Sequence, residues 1–574
     1  MSLMLRVKGI FSKLKLFPVL LFLLLGITIY SNTFNSPFVF DDLNNISNNH
    51  ATRNFSEYLS SWDYRTFRFI GYLTFSLNYQ IHQYNLFGYH LVNLLIHILN
   101  TILVWSFIRI TFLTPVLKKQ KIIKNRNSIA LFAALIFLTH PIQTQAVTYI
   151  TQRFASLATF FYLLSIYLYA RARLFPTRRI IFFTGSSLAA LMGIYTKEIV
   201  FTLPLMILLC EIYFFKSEIL KNRGVLLSLS VLISISIWFA YVRINSPDTF
   251  VPGTTKLGEI VDAKEYLATQ PIVIMKYIQL LFMPINQNID YDFPLVKGFM
   301  DVQVILPTLL LLFILGFAIV LFKKNRLISF SIVWFFVTLS VESSFIPLKD
   351  VINEHRLYLP MLGFSIFIPS ALFLLARKNF QKILFLSLVI IISSLGFLTY
   401  SRNAVYSSEI SLWTDVVKKA PLNPRAALHL ANAYLNVGRP EIAQVILKKT
   451  IEITPNYVDS YSNLGVVLAQ SGKYEEAEKY LNRALVLEPK FEQARYNMGL
   501  IMLIQRKYQE AEANFLAVIK INPDSADAYE KLGVIYFESE DFDKSRQMFE
   551  EALRIQPDLS LAREKLREIN NLNN

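Results

Sequence analysis

The sequence predicts an all-α protein in two parts, a polytopic helix bundle in a membrane followed by an α-solenoid. Hydrophobic residues fill 54% of the 574 positions and the mean hydropathy is positive, so much of the chain is solvated by lipid rather than water. Apolar runs of spanning length alternate with short basic clusters as far as residue 400. Beyond that point prolines recur every 34 residues, at 421, 455, 489, 523 and 557.

The net charge of +16 is unevenly shared. Residues 421–574 carry 19 Lys and Arg against 22 Asp and Glu, whereas residues 1–420 carry 38 against 19. The positive charge therefore sits between apolar runs, where the positive-inside rule holds loops in the cytoplasm, and a nucleic-acid partner is excluded. The single cysteine, Cys210, lies in an apolar run, so no intrachain disulfide forms.

The first apolar stretch, "LFPVLLFLLLGITIYSN", follows Arg6, Lys8, Lys13 and Lys15 and lacks a small-residue cleavage site, so it reads as a retained first span. Basic clusters follow at 118–126, 171–179, 216–223, 323–326 and 377–382. Placing all of them inside gives eleven spans, near 16–31, 89–113, 128–140, 155–170, 180–195, 199–215, 225–243, 303–322, 327–341, 358–376 and 383–400. The N-terminus is then cytoplasmic and the repeats lie outside, in a periplasm, at a cell exterior or in a lumen. Segment 271–285, "PIVIMKYIQLLFMPI", would invert every later cluster if it crossed, so it is expected as a short amphipathic or re-entrant helix. Loops 32–88, 139–153, 196–198, 244–302 and 341–358 face outward.

The domains are expected at 1–400 and 421–574, with 401–420 as a linker whose "SEISLWTDVVKKA" looks like a half-repeat. Leu464, Gly465, Ala477, Leu481 and Ala484 recur one period later as Met498, Gly499, Ala511 and Phe515, then as Leu532, Gly533, Ser545, Phe549 and Ala552. Small residues at these positions let two helices approach. Four tetratricopeptide repeats and a polar capping helix follow, the first repeat looser with Leu430, Ala431, Tyr434 and Ala443. Such an array binds an extended peptide or a helix of a protein partner, or serves as a packing platform.

The unusual polar residues of the membrane part gather on the outward side. Asp41 and Asp42, in "NSPFVFDDLNNISNN", place two carboxylates about ten residues beyond the first span. Alone such a pair is a solvated turn or a helix cap; here one can accept a proton from a hydroxyl while the other orients substrate or holds a divalent cation. Arg153, Lys197, His355 and Arg356, on other outward loops, suit a phosphate or a lipid headgroup, as do Arg65 and Arg68 in "DYRTFRFIGYL". In "GYHLVNLLIHILN" His90, Asn93 and His97 share one helix face, open to interhelical hydrogen bonding or to metal ligation.

Taken in order, "FVFDD", "YHLVNLLIH", "HPIQTQAVTYITQR", "KE" before an apolar run, "NEHRLYLP" and the repeats resemble the transmembrane-and-tetratricopeptide-repeat O-mannosyltransferase family and its prokaryotic relatives. The resemblance covers nearly the whole chain. It implies a GT-C-type glycosyltransferase that uses a polyprenyl-phosphate-linked sugar, with a protein hydroxyl as acceptor, at the outer membrane face. It places the catalytic base at Asp41 with Asp42 beside it, keeps His140 and Arg153, and maps the "EHR" motif onto Glu354, His355 and Arg356. One departure is Gln145, where a glutamate is expected. No resident cofactor is implied, and a divalent ion at the acid pair is left open.

The implied chemistry is a single inverting displacement: Asp41 draws the proton from the acceptor while the cations stabilise the departing polyprenyl phosphate. Two other readings stay open. An O-antigen-ligase-like transferase also pairs many spans with such repeats, although it centres on a late outer loop. A membrane-anchored assembly scaffold would use the repeats alone.

Overall fold

The computed structural model describes residues 2–62, 68–215, 230, 233–234, 261–344, 347–348 and 350–572, and all regular elements among them are helical. The chain divides into two compact units at Asp415/Val416, within the 401–420 segment.

In the first unit α1 (Ser2–Tyr30), α2 (Phe55–Ser60), α3 (Phe69–His82), α4 (Leu86–Thr111), α5 (Arg126–Thr139), α6 (Thr144–Val147), α7 (Arg153–Leu174), α8 (Arg179–Ile194) and α9 (Leu203–Cys210) precede α10 (Ala263–Phe282). Then come α11 (Val302–Lys324), α12 (Arg326–Leu339), α13 (Met361–Leu375) and α14 (Gln381–Ala404), while the division between the units falls within α15 (Glu409–Lys419). Six helical stretches among the described residues are long and apolar enough to cross a membrane, and Leu16–Tyr30, Arg326–Leu339 and Met361–Leu375 are shorter apolar helices. The expected spans at 16–31 and 180–195 fall on α1 and α8, while that at 225–243 lies outside the described residues apart from isolated positions, as does Arg65. In lipid the backbone can satisfy its polar groups only internally, which is why apolar sequence here is helical.

Helix α4 packs against both α5 and α7, with α13 and α14 against α5. The apolar stretch containing α7 is 78% buried and that of α11 only 17%, so α7 is an interior helix and α11 an outward-facing one. Pro141 stops α5: a 3-10 turn begins at it, and His140 caps that turn by accepting from the Ile142 N–H. The segment expected to be short at 271–285 is instead part of the 20-residue α10, which begins eight residues earlier and runs through Pro271. Tyr266, Val273, Tyr277 and Leu280 bury its inner face.

The second unit follows the 34-residue period. Its helix pairs are α16 (Pro424–Asn436) with α17 (Pro440–Ile453), α18 (Val458–Gln470) with α19 (Tyr474–Leu487), α20 (Glu492–Ile504) with α21 (Tyr508–Ile521), and α22 (Ala526–Glu538) with α23 (Phe542–Ile555). Helix α24 (Ser560–Leu572) closes the array. A Cβ on Gly465, Gly499 or Gly533 would come within 3.0 Å of Leu481, Phe515 or Phe549, so these glycines let paired helices touch.

Candidate functional site

The chain after α1 turns at Phe40, whose φ of 51° is left-handed, a conformation that a bulky residue adopts at a cost of about 1–3 kcal/mol. Hydrogen bonds from Asp42 N to Val39 O (3.0 Å) and from Leu43 N to Phe40 O (3.2 Å) hold the turn. It separates the two neighbouring carboxylates. Asp42 is fully buried; its Oδ2 accepts from Val39 N at 3.1 Å and its Oδ1 from the backbone N–H (2.6 Å) and hydroxyl of Thr151. Burial pushes its carboxyl up to about 7, against the lowering by these bonds. Asp41 is only partly buried, its N–H donates to the Tyr149 hydroxyl at 2.9 Å, and that hydroxyl also bonds its side chain.

The two aspartates expected to act together in catalysis stand in different surroundings. Asp42 ties the first outer loop to residues 149–151 with both carboxylate oxygens accepting hydrogen bonds, whereas Asp41 is only partly buried. A divalent ion shared by the pair would have to displace the three donors on Asp42, and among the described residues no three His, Cys, Asp or Glu side chains gather around a metal position. The donor set does not fit a resident ion.

Four of the expected cations come together. Arg68 caps α3 in a left-handed conformation (φ 62°) and pairs with Glu198 at 3.3 Å. That partner, ahead of other influences, raises the Arg68 pKa. Lys197, next in sequence to Glu198, is buried and pairs with Glu342 at 2.7 Å. Arg356 donates to the carbonyls of Asp350 (2.6 Å) and Val351 (3.0 Å). His355 lies among all three: burial, then Lys197, Arg356 and Arg68, holds its imidazole well below the usual value, so it is neutral. Its Nδ1 is buried without a partner among the described residues, and its backbone N–H donates to Gln145 Oε1 at 2.6 Å. Gln145, the departure from the family pattern, thus positions His355. Tyr72 donates to Asn45 Oδ1 at 2.6 Å in the acid loop, and its phenol is acted on in opposite directions by the charges of Arg68 and Asp41.

The other expected site residues hold the scaffold. Arg153 was expected to bind phosphate; instead it is fully buried, with Nε on Asn93 Oδ1 (2.7 Å), one terminal nitrogen on Tyr89 O (3.1 Å) and the other on Thr74 O (3.3 Å), against the Phe75 ring. Each nitrogen of its guanidinium already donates to the protein. Asn93 also donates to the carbonyls of Val147 and Ile150, so Arg153 and Asn93 together fix the strand of chain that carries Tyr149 and Thr151. His90 donates to Ser36 O at 2.9 Å. His97 donates through Nε2 to Leu138 O and accepts at Nδ1 from the Tyr358 hydroxyl. Metal ligation by His90 and His97 gives way to interhelical hydrogen bonding. His140 donates to Leu281 O at 2.9 Å. Glu354 is buried and accepts from Asn288 N (2.6 Å), Tyr291 Oη (2.6 Å) and Gln287 Nε2 (2.9 Å), which anchors the loop after α10.

Tyr149, Tyr72, Glu342 and Tyr266 were not singled out from the sequence. Tyr149 sits inside "HPIQTQAVTYITQR" and Glu342 inside "VESSFIP", both in outward loops, so polar or aromatic residues within those loops were the available signal.

Tetratricopeptide-repeat family models match residues 458–491 and 491–558. The chain is 25% identical over 469 residues to protein O-mannosyl-transferase F38B6.6 of Caenorhabditis elegans, an alignment covering 76% of this chain and 63% of the relative. It is 23% identical to protein O-mannosyl-transferase Tmtc3 of Drosophila melanogaster (76% and 55% covered) and 21% identical to protein O-mannosyl-transferase TMTC3 of Homo sapiens (76% and 51%). The chain thus spans between about half and two thirds of the length of these relatives. The resemblance carried by the motifs extends along most of the chain: this is a membrane protein with tetratricopeptide repeats, similar to the transmembrane-and-tetratricopeptide-repeat proteins named protein O-mannosyl-transferases.

Proposed function

We propose that this chain is a GT-C-type membrane glycosyltransferase that moves mannose or another hexose from a polyprenyl-phosphate carrier to a serine or threonine hydroxyl of a protein. The reaction takes place at the non-cytoplasmic face, and the repeats recruit the acceptor. The observation that supports this reading is that the phenol of Tyr72 lies in the field of both the partly buried Asp41 and Arg68, the latter one of the charges that, with Lys197 and Arg356, act on His355.

A sugar held between these groups has its acceptor side toward Asp41 and its phosphate toward the cations. The acceptor oxygen attacks the anomeric carbon and gives its proton to Asp41, while the bond from that carbon to the phosphate oxygen breaks and its electron pair leaves with the polyprenyl phosphate. Configuration inverts. The leaving phosphate gains negative charge, which pre-placed cations stabilise without reorganising. Lys197 and Arg68 are held ready by Glu342 and Glu198, and neutral His355 can donate a hydrogen bond without adding a buried charge. In Asp41→Asn, transfer of labelled sugar from a polyprenyl-phosphate donor to acceptor peptide should fall by at least about 100-fold, with insertion and folding intact. Full retained transfer would overturn the assignment and leave the scaffold reading.

A further inference from the structure

The ends of α4, α5 and α7 remote from Asp41 frame a second polar place. From Asn93 to Arg109 along α4 is about 24 Å, and from Arg153 to Arg171 along α7 about 27 Å, at 1.5 Å per residue. These lengths approach the thickness of a hydrocarbon core, so the far ends lie at the opposite membrane surface. There a cavity of about 550 Å³ is lined by Arg109, Arg126 and Arg171 together with Trp105, Tyr167 and Phe175. No acidic residue lines it, and among the described residues none of the three arginines has a carboxylate partner.

Two of the arginines lie against rings instead. The Arg109 guanidinium lies 4.4 Å from the Trp105 ring centre, and that of Arg171 lies 4.5 Å from Phe182 and 5.5 Å from Phe175. Arg126 is the first residue of α5 and follows directly on the 3-10 turn Lys121–Asn125, its own N–H donating to Ile123 O, so the backbone holds it at the cavity. Exposed Lys118, Lys119, Lys121 and Lys124, in the segment between α4 and α5, add positive charge to the connection that leads to Arg126.

We propose that this cavity binds the headgroup of an anionic phospholipid, its phosphate between Arg109, Arg126 and Arg171 and its upper acyl carbons against the aromatic rim. Three unpaired guanidiniums converging on one volume suit a phosphate, and a rim of Trp and Tyr at the membrane boundary suits the apolar start of the chains. A zwitterionic headgroup would bring its own cation into an all-cationic cavity. The site is independent of the transfer reaction.

Native mass spectrometry of the full-length protein in detergent, titrated with phosphatidylglycerol or phosphatidylcholine, tests this. The wild type should retain one phosphatidylglycerol in preference to phosphatidylcholine, and R109Q/R171Q should weaken that binding by about tenfold or more. K323Q/K324Q, which removes the same charge from the exposed end of α11, should leave it unchanged. R126Q, at an exposed position, should weaken it severalfold and decides the matter if the double variant does not fold. Equal retention of both lipids, equal losses in the arginine and lysine variants, or displacement of the lipid by glycerol phosphate at similar concentration would each overturn the proposal.

Discussion

The repeat unit and the membrane unit are built from the same kind of element and depend on opposite kinds of contact. In the repeats each helix touches its sequence neighbours, and one small residue per period decides whether a pair closes: Gly465, Gly499 and Gly533 occupy the same place three times. In the membrane unit the decisive contacts join residues far apart in the chain, Asp42 with Thr151, Lys197 with Glu342, Gln145 with His355. Local periodicity is enough to make a solenoid; a reacting centre has to be assembled from distant loops on a rigid scaffold.

The difference can be pressed by substitutions in each unit. The largest effect is the loss of transfer in Asp41→Asn, which belongs wholly to the membrane unit. Next, Lys197→Met strands Glu342 in a buried place and should cost about 3–5 kcal/mol, seen as early thermal unfolding in detergent, while Lys197→Met/Glu342→Met should regain much of it. In the repeats, Gly499→Val drives a side chain into Phe515 and should cost about 1–3 kcal/mol, with faster amide exchange confined to α18 to α23 and an undisturbed membrane unit.

A subtler contrast concerns pH. The Asp42 carboxyl titrates near 7 in the folded chain against 3.8 as its ordinary value, so between those values the folded state holds a proton that the unfolded state has lost. The contribution of Asp42 to stability is therefore greatest in acid and declines as pH rises toward about 7. Asp42→Asn should flatten that dependence in thermal melts from acid to neutral pH. The smallest effect is a gain. Gly438 and Gly472 take a left-handed turn (φ 74° and 75°) that Arg506 and Glu540 must adopt one and two periods later, each at φ 60°. Arg506→Gly or Glu540→Gly should stabilise the repeats by up to about 1 kcal/mol.

The same contrast explains what could be read from sequence. The helix pairs of the repeats coincide with the period of their prolines and small residues, and the apolar runs that fall on described residues of the membrane unit coincide with helices, because both signals are local. Composition also separated the basic membrane part from the near-neutral repeats. Within the site, residue type and loop were legible while roles were not. Arg153 and Lys197 look alike as cations in outward loops, yet one is consumed by Asn93, Tyr89 and Thr74 and the other stands in the cluster around His355. Asp41 and Asp42 are neighbours of identical chemistry, and only the left-handed turn at Phe40 divides them. The length of α10 was hidden because Pro271 reads as a boundary while burial of Tyr266 and Tyr277 carries the helix across it.

The central claim is that Asp41 and the cations around His355 line one aqueous face of the membrane. The only native thiol, Cys210, is buried, so single cysteines introduced as Asp41→Cys, His355→Cys and Lys124→Cys can be labelled in sealed, oriented vesicles with a membrane-impermeant maleimide. Positions 41 and 355 should react from the same side and position 124 from the other. Labelling of 41 and 355 from opposite sides would contradict the account.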